Sequence, residues 1–102
     1  MNLFLINGSP HKDGNTFKSL KVIEAVLEKH QAGTTIFHLG IRKVRGCIGC
    51  DSCAATNRGV CQDDLRNSLI EAIVNADGII VGSPTYFSGP NGALCTLLDR
   101  VF

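Results

Sequence analysis

No run of apolar residues in the chain approaches the roughly 18 that a membrane-spanning helix needs. The chain also lacks a large excess of charge of either sign. Its net charge is +1, so no broad electrostatic field attracts nucleic acid or an acidic lipid surface. The apolar start at 1–6 lacks the basic region and small-residue cleavage site of a signal peptide, so a buried first strand is the better interpretation. We therefore expect a cytoplasmic protein that binds neither membranes nor nucleic acid.

The standard catalytic and nucleotide-binding signatures are missing too. Neither GxGxxG nor GxxxxGK[ST] occurs, and no Ser-His-Asp or Cys-His arrangement has an interpretable spacing. His30 and His38 are isolated, which is typical of surface or packing histidines. With 44% apolar and 19% charged residues, the 102-residue chain has the composition of one soluble globular domain at most.

Hydrophobic periodicity predicts three successive strand–helix units. The predicted strands are Leu3–Ile6, Thr34–Leu39 and Gly78–Gly82, and the predicted helices run from Thr16 to about Lys29, from just after Asp63-Asp64, and from Gly92 to Phe102. The residues expected on the buried helix faces are Leu20, Ile23 and Leu27 in the first helix and Leu65, Leu69, Ile73 and Ala76 in the second. This order predicts a three-layer α/β/α fold with a parallel sheet and helices on both faces. In the doubly wound arrangement whose ligand crevice lies between strands 1 and 3, the strand order is 2-1-3.

In that order the third strand is an apolar sheet edge with unpaired backbone groups, which invites pairing with another chain. We therefore expect residues 1–102 to be the N-terminal part of a single domain, or a fold that a partner completes. A complete three-stranded domain is the alternative, although so small a sheet covers little surface.

The first loop, at residues 8–16, joins a strand to a helix N-terminus, where backbone N–H groups and the helix dipole form an anion site. Ser9, Asn15 and Thr16 can add side-chain hydrogen bonds to a phosphate, and Gly8 and Gly14 let the backbone approach closely. The alternative is a plain turn in which Asn15 or Thr16 caps the helix.

The second loop, at residues 82–92, also follows a strand and opens a helix. Pro84 and Pro90 stiffen it, and Tyr86 and Phe87 lie at its centre. A flat cofactor ring needs such an aromatic wall together with backbone groups that bind its edge. The alternative is that both aromatic side chains are buried packing residues.

Four of the five cysteines lie in a segment with little periodicity, which we treat as an insertion at about 45–62. Cys47, Cys50 and Cys53 form a C-x2-C-x2-C run, and Cys61 follows after seven intervening residues. An odd count without an export signal favours a reducing compartment and redox or metal chemistry. Three interpretations stay open: an iron–sulfur cluster, zinc, or thiols that are free or form a redox disulfide such as Cys47–Cys50. Cys95, on the last predicted helix, is expected to be a small buried residue.

These residues carry a family resemblance. The chain resembles the NAD(P)H-dependent FMN reductase and iron–sulfur flavoprotein families of the flavodoxin superfamily. The motifs that carry the resemblance are Gly8-Ser9-Pro10 and Gly14-Asn15-Thr16 in the first loop, Gly82-Ser83-Pro84-Thr85-Tyr86-Phe87 in the second, and the pair Asp99-Arg100. The resemblance covers the whole chain but only about the N-terminal half of a typical member. Members often carry Lys where Cys95 stands.

The resemblance implies a set of cofactor-binding residues. The first loop would hold the FMN phosphate through Ser9, Pro10, Asn15 and Thr16. The second would run along the isoalloxazine ring with Ser83, Pro84, Thr85, Tyr86, Phe87 and Gly89. The family's cysteine run would bind a four-iron four-sulfur cluster through Cys47, Cys50, Cys53 and Cys61.

The implied activity is electron transfer from NAD(P)H through bound FMN to an acceptor, such as a quinone, a second flavin or an iron–sulfur centre. The flavin performs the chemistry, so no side chain is predicted to be catalytic. The resemblance also implies a homo-oligomer. The alternatives are a flavodoxin-type electron carrier without a substrate of its own, and a thiol or metal redox sensor.

Overall fold

A computed structural model describes residues 1–51, 53, 54 and 65–101. The helices and strands whose bounds fall within these residues are β1 (Asn2–Asn7), α1 (Asn15–Lys29), β2 (Gly33–His38), α2 (Leu65–Asn75), β3 (Gly78–Gly82), β4 (Thr85–Tyr86), β5 (Gly89–Pro90) and α3 (Gly92–Val101). The predicted strands and helices are all present, with bounds that differ by a residue or two. Asp63, Asp64 and Phe102 lie outside the described residues.

The main sheet has the order β2-β1-β3, and both pairings are parallel. Leu5 of the central strand lies opposite Ile36 of β2 and Ile80 of β3. The predicted order 2-1-3 and the flavodoxin-like α/β class are thereby confirmed. Because parallel strands end at one edge, the loops after β1 and β3 leave the sheet side by side.

The core lies on both faces of β1. Phe4 and Ile6 point to one face and pack with side chains of α2 and α3, namely Leu69, Ile73, Leu94 and Leu97. Leu5 points to the other face, where α1 contributes the buried Leu20. Helices therefore cover both faces of the sheet. None of the helices in the described ranges is long and apolar enough to cross a membrane.

The expected buried face of α1 was partly wrong. Leu20 is buried and Leu27 is half-buried, but Ile23 is 36% exposed and lines a cleft beside β3. A three-stranded sheet is narrow, so it covers only part of the apolar stripe of α1. On α2, burial of Leu69 and Ile73 is confirmed, and Ala76 packs at the edge of the core.

The second loop contains a hairpin that the sequence did not indicate. Thr85 pairs with Pro90 and Tyr86 with Gly89, which leaves Phe87 and Ser88 as a two-residue turn. Their φ angles are 48° and 61°, in the left-handed region that such hairpin turns require. Asn-Gly is the usual signal for this turn, and Phe-Ser lacks it.

Truncating the core at Leu97 tests this packing. Leu97 is fully buried between α3 and the sheet, so Leu97→Ala should lower the free energy of unfolding by about 2–5 kcal/mol. Val22→Ala on α1, where the side chain is 67% exposed, is the control and should change it by less than about 0.5 kcal/mol. Urea unfolding followed by circular dichroism measures both. Equal losses in the two variants would contradict the described core.

Candidate cofactor-binding site

The first loop is held at its start by a short series of hydrogen bonds. The Gly8 N–H donates to the Gly82 carbonyl at 2.8 Å, which ties the loop to the end of β3. The Ser9 N–H donates to Asn7 Oδ1 at 3.0 Å, and Ser9 Oγ accepts from the His11 N–H at 3.0 Å. Since Ser9 Oγ accepts there, its own hydroxyl hydrogen is available to donate to a ligand.

The amino end of α1 follows this loop and has no side-chain cap. Gly14 is the N-cap residue, with φ −82° and ψ −168°, and no acidic residue lies in the first turn. The alternative in which Asn15 or Thr16 caps the helix is therefore wrong in its cap residue. The first amides of a helix have no intrahelical acceptor, so this end presents donors and a positive dipole to an anion.

The second loop is fixed to the first by Asn91, which is almost fully buried. Asn91 Nδ2 donates to the Gly8 carbonyl at 2.7 Å, although the two residues are 83 positions apart. Ser83 Oγ lies 2.8 Å from Asn91 Oδ1, to which it donates, and accepts from the Asn91 N–H at 3.0 Å. One asparagine thus joins Gly8 of the first loop, Ser83 of the second loop and the start of α3.

A cleft of about 790 Å³ lies between α1, β3 and the two loops. Of the residues predicted from the resemblance, those that line it are Ser9, Asn15, Thr16, Ser83, Pro84 and Thr85. His11 and Gly14 line it as well. Pro10, Tyr86, Phe87 and Gly89 do not, because the hairpin carries the last three away from the cleft wall.

The aromatic pair at the hairpin is exposed. Tyr86 is 49% exposed and Phe87 is fully exposed, so the alternative that both are buried packing residues is wrong. A bulky residue with positive φ is strained by about 1–2 kcal/mol, and the turn places Phe87 in that region. The β4–β5 pairing holds this backbone and presents the ring outward.

The segment that leads into the cysteine run is anchored by three contacts. The Arg42 guanidinium lies 5.1 Å from the centre of the Phe37 ring, and Val44 packs against the core. Arg100 is buried on α3, and its Nη1 donates to the Arg45 carbonyl at 3.1 Å. The chain is therefore held in place up to the second residue before Cys47.

The cysteine run itself is exposed at Cys47, Cys50 and Cys53. The Gly49 N–H donates to Cys47 Sγ at 3.4 Å, and Gly49 and Asp51 have φ angles of 67° and 62°, so the backbone turns between the cysteines. Within residues 1–51, 53, 54 and 65–101, no three His, Cys, Asp or Glu side chains are grouped closely enough to hold a metal ion. Cys61 lies outside the described residues.

Cys95 differs from its predicted environment. It was expected to be buried, but it is only half-buried, and its Sγ lies 3.9 Å from the Pro90 carbonyl. Its position near the start of α3 leaves one side of the thiol open.

Sequence reasoning missed Asn91 and His38, and it left the role of Arg100 open. His38 ends β2 beside Asn7, which ends β1, and its Nδ1 lies 3.1 Å from Asn7 Nδ2. Burial lowers the pKa of His38, helped by Lys12 and Arg42 and opposed by Asp13. The available signal was position, because polar residues at the carboxyl ends of adjacent parallel strands share one sheet edge.

Comparisons with known proteins agree with this geometry. A sequence profile of the NADPH-dependent FMN reductase family matches residues 1–102. The chain is 39% identical over 101 residues to an iron-sulfur flavoprotein of Archaeoglobus fulgidus, with 98% of this chain and 48% of that protein covered. It is 36% identical over 102 residues to one from Methanocaldococcus jannaschii (98% and 51% covered) and 33% identical over 102 residues to one from Clostridioides difficile (98% and 45%). The chain thus spans about half the length of the curated relatives it matches.

Asn91→Asp tests the bond that joins the two loops. The substitution places an oxygen against the Gly8 carbonyl, where Nδ2 now donates, so we expect a loss of about 1–3 kcal/mol in unfolding free energy. Asn75→Asp, at an exposed position of α2, adds the same charge without breaking a described bond and is the control. Urea unfolding of both variants at neutral pH is the measurement. An Asn91→Asp protein as stable as the control would show that this bond does not hold the loops.

Proposed function

Because the chain belongs to the NADPH-dependent FMN reductase family, we propose that it binds FMN and works as a flavin-dependent oxidoreductase. In this proposal the protein takes electrons from NAD(P)H and passes them to an acceptor. The observation that carries this proposal is the uncapped amino end of α1, which opens into the cleft between the two loops. A phosphate needs hydrogen-bond donors and a positive potential, and a helix amino end supplies both.

The phosphate would be held by the first loop and the first turn of α1. The backbone amides of Asn15 and Thr16 lie in the uncapped turn, and Ser9 lines the same cleft. Gly82 makes room for this arrangement, because a Cβ there would lie 2.9 Å from Thr16 Cγ2. Pro10, which does not line the cleft, would act only by stiffening the loop.

The ring system would lie along the second loop. Ser83, Pro84 and Thr85 line the cleft. Tyr86, Phe87 and Gly89 lie on the hairpin outside the cleft wall, where they would contact the part of the ring system that extends beyond the cleft. Flavin, when bound, supplies the chemistry, since it accepts a hydride and releases electrons singly or in pairs. The side chains of this chain orient the cofactor and shield it from water, and none is proposed to be catalytic.

We further propose that the cysteine run binds a four-iron four-sulfur cluster through Cys47, Cys50, Cys53 and Cys61. Thiolates are the ligands that such clusters use, and the matched relatives bear the name iron-sulfur flavoprotein. The backbone N–H donated to Cys47 Sγ is a contact that also stabilises sulfur ligands of clusters. The described thiols are not grouped as a finished site, so no electron-transfer step is assigned to them.

We also propose a cellular compartment, a domain assignment and an assembly state for the protein. We place the protein in the cytoplasm, because five cysteines with an odd count suit a reducing compartment. Residues 1–102 are proposed to be the N-terminal part of one flavodoxin-like domain that works as a homo-oligomer. The fully exposed Phe87 supports a contact of the hairpin with a further surface.

The visible absorption spectrum of anaerobically purified protein, with iron and zinc assays on the same sample, tests both cofactors. Flavin bands with iron-dependent absorption support the whole proposal, and flavin bands without iron would remove the cluster from it. Bound flavin that NADH and NADPH fail to reduce would indicate an electron carrier instead. A colourless protein that does not take up added FMN would contradict the flavin proposal.

A charge at the α1 cap tests the phosphate position. Gly14→Asp and Gly14→Asn both place a good capping residue at the N-cap, so neither should unfold the protein. Because a carboxylate repels phosphate, we expect the Asp variant to bind FMN at least about tenfold more weakly than the Asn variant. Riboflavin, which lacks the phosphate, should bind both equally. Fluorescence titration measures the four affinities, and equal FMN affinities would place the phosphate elsewhere.

A pair of cysteine substitutions tests the cluster. Cys47→Ser removes a proposed ligand, whereas Cys95→Ser removes a thiol of the same chain outside the run. We expect iron content per chain to fall by about tenfold or more in the Cys47 variant, in line with loss of a ligand, and to stay at the wild-type value in the Cys95 variant. Iron analysis after anaerobic reconstitution gives the comparison. Iron that is equal in both variants would exclude this ligand set.

A further inference from the structure

Hydrogen bonds connect His38 at the end of β2 with the first loop. Asn7 Nδ2 lies 3.1 Å from His38 Nδ1, Asn7 Oδ1 accepts from the Ser9 N–H at 3.0 Å, and Ser9 Oγ accepts from the His11 N–H at 3.0 Å. Asn7 is fully buried and Ser9 is 4% exposed. The series therefore runs from a titratable ring, through a buried amide, to Ser9, a residue that lines the cleft.

The donors and acceptors in this series have only one consistent assignment. A backbone N–H can only donate, so the amide oxygen of Asn7 must face Ser9. The amide nitrogen of Asn7 must then face His38, and the nitrogen can only donate. His38 Nδ1 must accept, which requires an imidazole without a proton on that atom.

We propose that His38 is a positioning residue for the cofactor phosphate: its unprotonated Nδ1 orients the Asn7 amide, and Asn7 in turn holds Ser9 in place at the cleft. This inference rests on the proposed function, because it assumes that the first loop binds the FMN phosphate. Protonation of Nδ1 would place two donors, His38 Nδ1–H and the Asn7 amide nitrogen, opposite each other. If the Asn7 amide rotated so that its oxygen accepted from His38, its nitrogen would face the Ser9 N–H, which is also a donor.

The groups around His38 favour the neutral ring. The Phe17 ring of α1 lies 5.2 Å from the imidazole, between centroids, and covers one side of it. Lys12 and Arg42 disfavour a further positive charge, Asp13 favours one, and burial has the largest effect, so the pKa of His38 lies below its ordinary value of 6.5. The ring is therefore neutral at neutral pH, and the Asn7 orientation is lost as pH falls through the lowered pKa.

Two substitutions at His38 separate hydrogen bonding from titration. In His38→Asn, the amide oxygen is bonded to Cγ, as Nδ1 is in histidine. The oxygen can therefore accept a hydrogen bond from Asn7, and the asparagine side chain does not titrate. His38→Leu removes the acceptor altogether. His30→Asn, at an exposed position beyond the end of α1, is the matched control for loss of a histidine.

The dissociation constants of FMN and riboflavin are measured for the four proteins by fluorescence titration. At about pH 8, where the lowered pKa of His38 leaves its ring neutral, His38→Leu should bind FMN about fivefold more weakly than wild type, as expected for one lost hydrogen bond. His38→Asn and His30→Asn should match wild type within about twofold, and riboflavin affinity should not change in any of them. Circular dichroism on the same samples shows that each variant is folded.

The pH profile provides a readout that a purely structural role would not move. The FMN phosphate itself takes up a proton near pH 6, so all four proteins lose some affinity below about that pH. Wild type and His30→Asn should lose more than His38→Asn, and the excess should follow the His38 titration measured by NMR on the ring protons. If the FMN affinities of wild type and His38→Asn fall in parallel through the pH range in which His38 titrates, the proposal is wrong.

The outcomes also distinguish this inference from the proposed function. FMN and riboflavin binding equally well to wild type would mean that the loop holds no phosphate, whatever His38 does. A preference for FMN that His38→Leu leaves unchanged at about pH 8 would overturn only the role of His38. An FMN affinity that rises on protonation of His38 would also overturn it, because the ring would then act as a cation for the phosphate.

Discussion

The site depends on the hydrogen bond from Asn91 Nδ2 to the Gly8 carbonyl, which joins the two loops of the cleft. Gly8 is the first residue after β1, and Ser83, the first after β3, bonds to the same asparagine. Both loops and the start of α3 are therefore fixed by one buried amide. A backbone carbonyl buried without that donor would cost about 1–3 kcal/mol, so the arrangement is favoured even without a ligand.

Close packing at two glycines makes this junction possible. A Cβ at Gly8 would lie 3.0 Å from two atoms of Leu94 and 3.1 Å from Asn91 Oδ1. A Cβ at Gly82 would lie 2.9 Å from Thr16 Cγ2 and 3.2 Å from Leu20. These glycines are required for the approach of α3 and α1 to the strand ends, and neither has a positive φ. The two Gly-Ser-Pro motifs thus mark the places where a helix packs directly on a strand end.

The sequence predicted what depends on local pattern and missed what depends on distant pairs. The strands and helices follow from hydrophobic periodicity, and the parallel pairing of the strands follows from their alternation with helices. Burial of Ile23 was predicted wrongly, because periodicity does not show how much of a helix a narrow sheet covers. The contact of Asn91 with Gly8 joins residues 83 positions apart, and no local signal marks it. The contact of His38 with Asn7 joins residues 31 positions apart, and only their positions at the ends of adjacent strands indicate it. The turn at Phe87 and Ser88 was missed because its residues are unusual for their backbone conformation.

The two proposed cofactor sites differ in how well their residues are preorganised before a cofactor binds. At the proposed phosphate site in the first loop, buried side chains and backbone bonds hold the donors in place, so little further ordering would be needed on binding. In the cysteine segment, the contacts of Arg42 with Phe37, of Val44 with the core and of Arg45 with Arg100 hold the residues before the run, while Cys47, Cys50 and Cys53 are exposed. Metal binding to such thiols must supply the free energy that gathers them. Flavin affinity should therefore follow the packing of the fold, whereas cluster occupancy should follow metal supply and thiol redox state.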